Sequence, residues 1–188
     1  MTDQSALHPD PALSEVLVTH AEISTRVQQL GQEIGNDYAG RIPLLIGVLK
    51  GGAIFTTDLA RAIDLPVELD FMAVSSYGSS TRTSGVVRII KDLDEDIEGR
   101  DVIIVEDIVD TGLTLKTIRA SLLTRQPHSL TTVTLLAKPS QHKVPVSIDL
   151  VGFKLGSEFV VGYGLDANET YRDLPYLAIL NTPQTEVR

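Results

Sequence analysis

The stretch Val102-Ile103-Ile104-Val105-Glu106-Asp107-Ile108-Val109-Asp110-Thr111-Gly112-Leu113-Thr114 decides how the rest of the chain is read. Four consecutive β-branched apolar residues, Val102 to Val105, suit a short strand buried on both faces. Two adjacent carboxylates follow, then two apolar residues, a third carboxylate at Asp110 and a Thr-Gly-Leu-Thr turn. Beyond the turn, Leu115, Ile118, Leu122 and Leu123 recur at helical spacing, so a helix begins there. Strand, acids, turn and helix in that order put the acids at the carboxyl edge of a parallel sheet, where open α/β folds bind ligands.

The residue types at that edge imply a chemistry. A Gly-containing turn leading into a helix offers backbone N–H groups and the positive end of the helix dipole to a phosphate. Thr111 and Thr114 add hydroxyl donors. Glu106 and Asp107 act only as acceptors when ionised, which suits sugar hydroxyls or a hydrated cation. Asp110 stands between the two groups. The pattern describes a site for a ribose 5-phosphate with its reacting carbon near Asp110. The competing reading is that the acids only cap the following helix. Three ionised carboxylates within five residues would repel one another there, which argues against it. No Walker-type phosphate loop occurs, and no G-x-G-x-x-G follows a strand. As a whole the stretch resembles the phosphoribosyl-diphosphate (PRPP) signature of the type I phosphoribosyltransferases.

Upstream, Thr19 and Glu22 have the spacing of a capping box. Ile23, Val27, Leu30, Ile34 and Tyr38 mark one face of the helix that follows, with Gly40 as its stop. Pro43 to Leu49 reads as a buried strand leading through Lys50-Gly51-Gly52 into a helix ending near Ile63. The paired glycines imply close backbone approach or an unusual turn, or simply the start of that helix. In the resembled family the matching Leu-Lys-Gly-Gly turn holds a non-proline cis peptide and binds diphosphate through backbone groups, which would place Lys50 and Gly51 at that group. Val67 to Val74 and Val86 to Lys91 read as strands. Between them, residues 75–85 are polar and almost free of apolar anchors, in composition simply a mobile loop, while their placement between strands and before the PRPP stretch suits a lid. Asp92, Asp94 and Asp96 alternate like the first ligands of an EF-hand, but Ile97 and Ile103 occupy the positions that need Gly and Glu. They are expected to form an acidic surface turn. His8, His20, His128 and His142 lack metal-ligand spacing and are expected at the surface. Strands are also expected over 130–137, 150–153, 159–164 and 176–180.

Composition bounds the possibilities. The chain has 188 residues, 43% of them hydrophobic, enough for one globular domain with a real core. The expected division is a disordered N-terminus over 1–13, a single domain over 14–182 and a flexible C-terminus over 183–188. There is no cysteine, so disulfides and thiolate metal sites are excluded. The net charge of −9 argues against nonspecific nucleic-acid binding. No apolar run suits a membrane span and no signal-peptide pattern opens the chain, so a cytoplasmic protein without membrane partners is expected. A chain this acidic that takes an anionic ligand needs local cations to offset the repulsion.

The second half sharpens the resemblance. Lys138 after a Leu-Leu-Ala strand, Phe159-Val160-Val161-Gly162-Tyr163, Leu165-Asp166, Asn168-Glu169 and Tyr171-Arg172-Asp173-Leu174 look like the branch of the family that works on 6-oxopurines, hypoxanthine and guanine. The resemblance runs over residues 14–182 and implies an α/β fold: a parallel sheet flanked by helices, with a small hood built from terminal segments. It implies that Glu106 and Asp107 hold the ribose hydroxyls directly or through Mg2+, that Asp110 is the general base, and that Thr111, Gly112, Leu113 and Thr114 cradle the 5′-phosphate. Lys138 would donate to the 6-oxo group, Phe159 would stack on the purine, and Val160 would meet its edge. Asp166 would ligate a diphosphate-bound Mg2+, Arg172 would clamp the diphosphate, and Ser76 and Tyr77 would belong to the lid. Some family members carry lysine where this chain has Leu113. PRPP and a purine base are the implied partners, and a homo-oligomer, dimer or tetramer, the implied assembly. A transferase for another base is the nearest rival, and Lys138 with Phe159 disfavours it. A PRPP-sensing regulator would not need Asp110 or the 138–172 set.

Overall fold

The computed structural model describes residues 10–76 and 87–181. Its centre is β5 (Asp101–Val109), which extends the apolar run through both carboxylates. On one side β5 pairs in parallel with β2 (Leu44–Leu49), which in turn pairs in parallel with β3 (Glu68–Ser76). On the other side, β6 (Ser129–Ala137) and β7 (Leu150–Lys154) continue the parallel ladder. The short β4 (Val87–Lys91) adds to β3 antiparallel, giving a six-stranded sheet in the order β4-β3-β2-β5-β6-β7.

Val102 to Val105 are fully buried because each face of β5 has its own helical cover. Ile103 and Val105 pack with Leu30 and Ile34 of α1 (His20–Asp37) and with Phe55 and Leu59 of α2 (Gly52–Ala62). Val102 and Ile104 pack with Leu115, Ile118 and Leu122 of α3 (Leu113–Leu123). α1 starts at the expected capping box: Thr19 accepts from the Glu22 N–H, and the Glu22 side chain accepts from the Thr19 N–H.

A second, three-stranded antiparallel sheet joins the two ends of the chain in the order β1-β9-β8, from β1 (Leu13–Val18), β9 (Leu177–Leu180) and β8 (Val160–Val161). Val18, Val160 and Leu177 sink into the same apolar cluster as α1 and α2, which seats this small sheet on the main one. β1 is not apparent from the sequence. Of its six residues only Val18 is buried, and its polar positions give no alternating pattern to read. The strand expected over 159–164 shrinks to β8, because Gly162, Tyr163 and Gly164 all have positive φ. Of the histidines, His20 and His128 are exposed and His142 is half-buried, while His8 lies outside the described residues.

Candidate functional site

The carboxyl ends of β2 and β5 open into a cleft of ≈ 300 Å³. Glu106, Asp107, Asp110, Thr111, Gly112 and Thr114 line it from β5 and the turn into α3. Lys50 and Gly51 line it from the turn after β2, and Asp166 and Arg172 from the segment beyond β8. Residues far apart in the chain thus meet where the sequence places the ligand.

Alternation along β5 slips by one residue across the acidic pair. Ile108 packs with the cluster that holds Ile103 and Val105, and Val109 with the one that holds Val102 and Ile104. Both carboxylates line the cleft where this slip occurs. Burial, reinforced by the neighbouring Asp107 charge, pushes the Glu106 carboxyl well above the usual range. Burial also raises Asp107, to about 6, against the opposing pull of backbone N–H groups and Arg172. Asp107 Oδ1 accepts from the Ile108 N–H at 2.9 Å. Asp110, three residues after Asp107, is exposed at the cleft.

The turn over 111–114 is tightly closed. Gly112 has φ +80°, and a Cβ there would press on Val146 at 2.9 Å, so glycine meets both the turn and its roof. The Lys143 N–H holds the roof segment down on the Thr111 carbonyl at 2.9 Å. First-turn N–H groups of a helix have no intrahelical acceptor, and those of α3 begin here.

The Lys50-Gly51-Gly52 turn is clamped from two sides. The Leu49–Lys50 peptide bond is cis. A Cβ on Gly51 would sit 1.6 Å from Asp107 Oδ2, so the turn lies directly against that carboxylate. A Cβ on Gly164 (φ +100°) would sit 2.2 Å from the Gly51 carbonyl oxygen. Tyr163 anchors this outer layer by donating from its hydroxyl to Asp58 Oδ2 of α2 at 2.6 Å. Neither the clamp nor the Tyr163 anchor is visible as a motif. The only sequence signal is the Gly-Tyr-Gly spacing at 162–164.

Arg172 is fixed by donating from Nη1 to the Gly164 carbonyl at 2.7 Å and by pairing through Nη2 with Asp166 at 2.7 Å. Its Nε is buried and makes no hydrogen bond. Glu169, given no role by the sequence reading, bridges Arg172 and Lys50.

The residues expected at the purine stand beside the cleft rather than in its lining. Lys138 is buried, its backbone N–H bonded to the Val109 carbonyl at 2.9 Å, next to Asp110. Its ammonium donates to the Glu158 carbonyl at 2.6 Å, which ties it to the residue before Phe159. Phe159 is 48% exposed, an apolar ring facing solvent, and Val160 is buried in β8. Leu113 does not line the cleft but opens α3. Ser76 ends β3, and Tyr77 with the remainder of the expected lid lies outside the described residues.

Among the described residues no group of three or more His, Asp or Glu is arranged to hold a metal by itself. The donor set still suits magnesium, which is commonly bound by one or two carboxylates plus substrate phosphates and water. Glu106, Asp107 and Asp166 are such carboxylates on one cleft.

A parallel sheet presenting carboxylates and a glycine-containing turn into a helix at its carboxyl edge has the layout of the open α/β folds that bind ligands there. Comparison with known proteins makes that class specific. The model of the phosphoribosyl transferase domain matches residues 15–168, and the chain belongs to that family. The hypoxanthine-guanine phosphoribosyltransferase of Mycobacterium avium is 56% identical over 175 residues, covering 90% of this chain and 86% of that protein. The enzyme of the same name from Bacillus subtilis is 50% identical over 168 residues, covering 89% of this chain and 93% of its own. The crystal structure of a hypoxanthine phosphoribosyltransferase from Staphylococcus aureus superposes with a TM-score of 0.87 at 47% identity, covering 90% of this chain and 92% of that one.

Proposed function

We infer that this protein is a purine-salvage enzyme that transfers the 5-phosphoribosyl group from PRPP to a 6-oxopurine, releasing diphosphate. The observation that carries the reading is the convergence, on one cleft, of the phosphate turn, the acidic pair, Asp110 and the Lys50–Arg172 cations. The high identity to named hypoxanthine-guanine phosphoribosyltransferases along most of the chain supports the choice of base.

The residues divide the work by charge. Residues 111–114 hold the 5′-phosphate through backbone N–H groups and hydroxyls. Glu106 and Asp107 accept from the ribose hydroxyls. As the bond from the anomeric carbon to diphosphate breaks, the electron pair leaves with the diphosphate and positive charge develops on the sugar. Lys50 and Arg172 stabilise the departing anion, and the neighbouring carboxylates stabilise the cation. A ring nitrogen of the purine then bonds to the anomeric carbon, and Asp110 takes the proton the base gives up. Lys138 donates to the 6-oxo group once its ammonium turns from the Glu158 carbonyl, and Phe159 covers the ring. Magnesium, held by Asp166 and the acidic pair together with substrate oxygens, would neutralise part of the diphosphate charge. Such chemistry belongs to the cytoplasm, and a homo-oligomer is the assembly we propose.

The test supplies PRPP and magnesium with hypoxanthine, guanine, xanthine and adenine in turn and follows diphosphate release. Release is expected with hypoxanthine, guanine or both, and not with adenine, whose 6-amino group leaves the Lys138 donor unpaired. Release with no base, or with adenine alone, would overturn the reading.

A further inference from the structure

Two cations that line the proposed diphosphate side of the cleft already share an anion. Lys50 and Arg172 converge on a single oxygen, Glu169 Oε2, which lies 3.0 Å from Lys50 Nζ and 3.3 Å from Arg172 Nη2. The backbone presents it deliberately. Glu169 has φ +66°, between Asn168 at +52° and Tyr171 at +72°, a conformation that L side chains seldom adopt. Its N–H is held by Asp166 Oδ2 at 2.9 Å.

A structural role explains little of this. Arg172 keeps its place through Gly164 and Asp166 without Glu169. Lys50 and Glu169 are both largely exposed, 68% and 65% at the side chain, so their pair contributes little to folding. A weak, exposed contact on two cations aimed at an anion's site is easily exchanged for that anion.

We propose that Glu169 is a built-in counter-anion of the diphosphate subsite: diphosphate must displace it from Lys50 and Arg172, and its return hastens diphosphate release. The inference rests on the transferase reading above. A ligand that binds only after an internal contact opens has its affinity reduced by the fraction of molecules with that contact open. Removing the Glu169 charge should therefore tighten diphosphate specifically, while leaving the 5′-phosphate turn unaffected.

Titration calorimetry on the whole chain tests this, with magnesium diphosphate and, separately, with a 6-oxopurine nucleoside 5′-monophosphate. The proteins are wild type, Glu169→Gln, and Glu98→Gln as a control for the loss of one negative charge. Glu98 is exposed in the turn before β5, at the opposite edge of the sheet from the cleft. Glu169→Gln should bind diphosphate roughly three- to ten-fold more tightly, with a slower off-rate, as expected for loss of an exposed ion-pair competitor. Monophosphate affinity should stay within about twofold, and Glu98→Gln should match wild type. Unchanged or weaker diphosphate binding by Glu169→Gln with monophosphate binding intact would overturn the role of Glu169. So would a gain matched by Glu98→Gln. Wild type binding neither ligand would instead bring down the transferase reading, and this proposal with it.

Discussion

Asp110 stands exposed at the cleft between the acidic pair and the 111–114 turn, and we propose it as the general base. Asp110→Asn keeps shape and removes the base, so turnover should fall roughly 10²–10⁴-fold, the usual worth of a positioned general base. PRPP affinity should hardly change. Single-turnover kinetics with saturating PRPP checks this, and wild-type turnover in the variant would refute the role. Asp107 supports a prediction of another kind. Its folded carboxyl titrates at about 6, above its ordinary value, so the fold favours the protonated form. The stability this contributes is full below the ordinary carboxyl range and is lost as pH rises through about 6. At pH 7 the ligand-free enzyme therefore bears the cost of an ionised carboxylate at a buried site. Asp107→Asn should be more stable than wild type at pH 7 by ~1–3 kcal/mol, with the difference vanishing near pH 4. Urea denaturation across that range measures it, and parallel curves for the two proteins would contradict the assignment. The same substitution should weaken ribose binding, as expected where a site is held ready for its ligand against the preference of the fold.

At the level of elements, the site depends on three layers held in contact: the end of β5, the Gly51 turn and the 162–166 turn. Gly164→Ala would drive a Cβ into the Gly51 carbonyl at a positive φ, with only backbone to yield. It should destabilise the protein by roughly 2–4 kcal/mol and impair diphosphate binding. Gly51→Ala meets the movable end of the Asp107 side chain instead, so its cost should fall more on ribose and diphosphate affinity than on stability. Equal unfolding midpoints for wild type and Gly164→Ala would show that the layers are not in register. Much at this scale was legible in the sequence. The Val102–Val105 run, the Thr19–Glu22 box and the periodic faces of α1 and α3 are local patterns, and each element formed where its pattern lies. β1 was not legible, because an edge strand held by its ladder to β9 and buried only at Val18 carries little hydrophobic signal. The continuation of β5 through Glu106 and Asp107 was hidden too, since charged residues read as the end of a strand.

Across the whole molecule, the fold brings to one sheet edge residues that the sequence names separately. The phosphate turn and its acids could be read because they are contiguous. The Lys50–Glu169–Arg172 bridge could not, because only the tertiary fold decides which charges meet. The described residues leave the purine side less assembled, with Phe159 exposed and the Lys138 ammonium on the Glu158 carbonyl. If Lys138 reads the 6-oxo group, Lys138→Ala should reduce use of hypoxanthine and guanine by on the order of 10-fold or more while sparing PRPP affinity. Steady-state kinetics with each substrate varied in turn would show it as a rise in KM for the base. The most direct measurement of the central claim is a competition: hypoxanthine, guanine and adenine supplied together at equal concentration with PRPP and magnesium, and the nucleotides formed identified by mass. The expected products are 6-oxopurine nucleotides, inosine or guanosine monophosphate or both, with adenosine monophosphate absent. Adenosine monophosphate formed at a comparable rate, or no nucleotide at all, would contradict it.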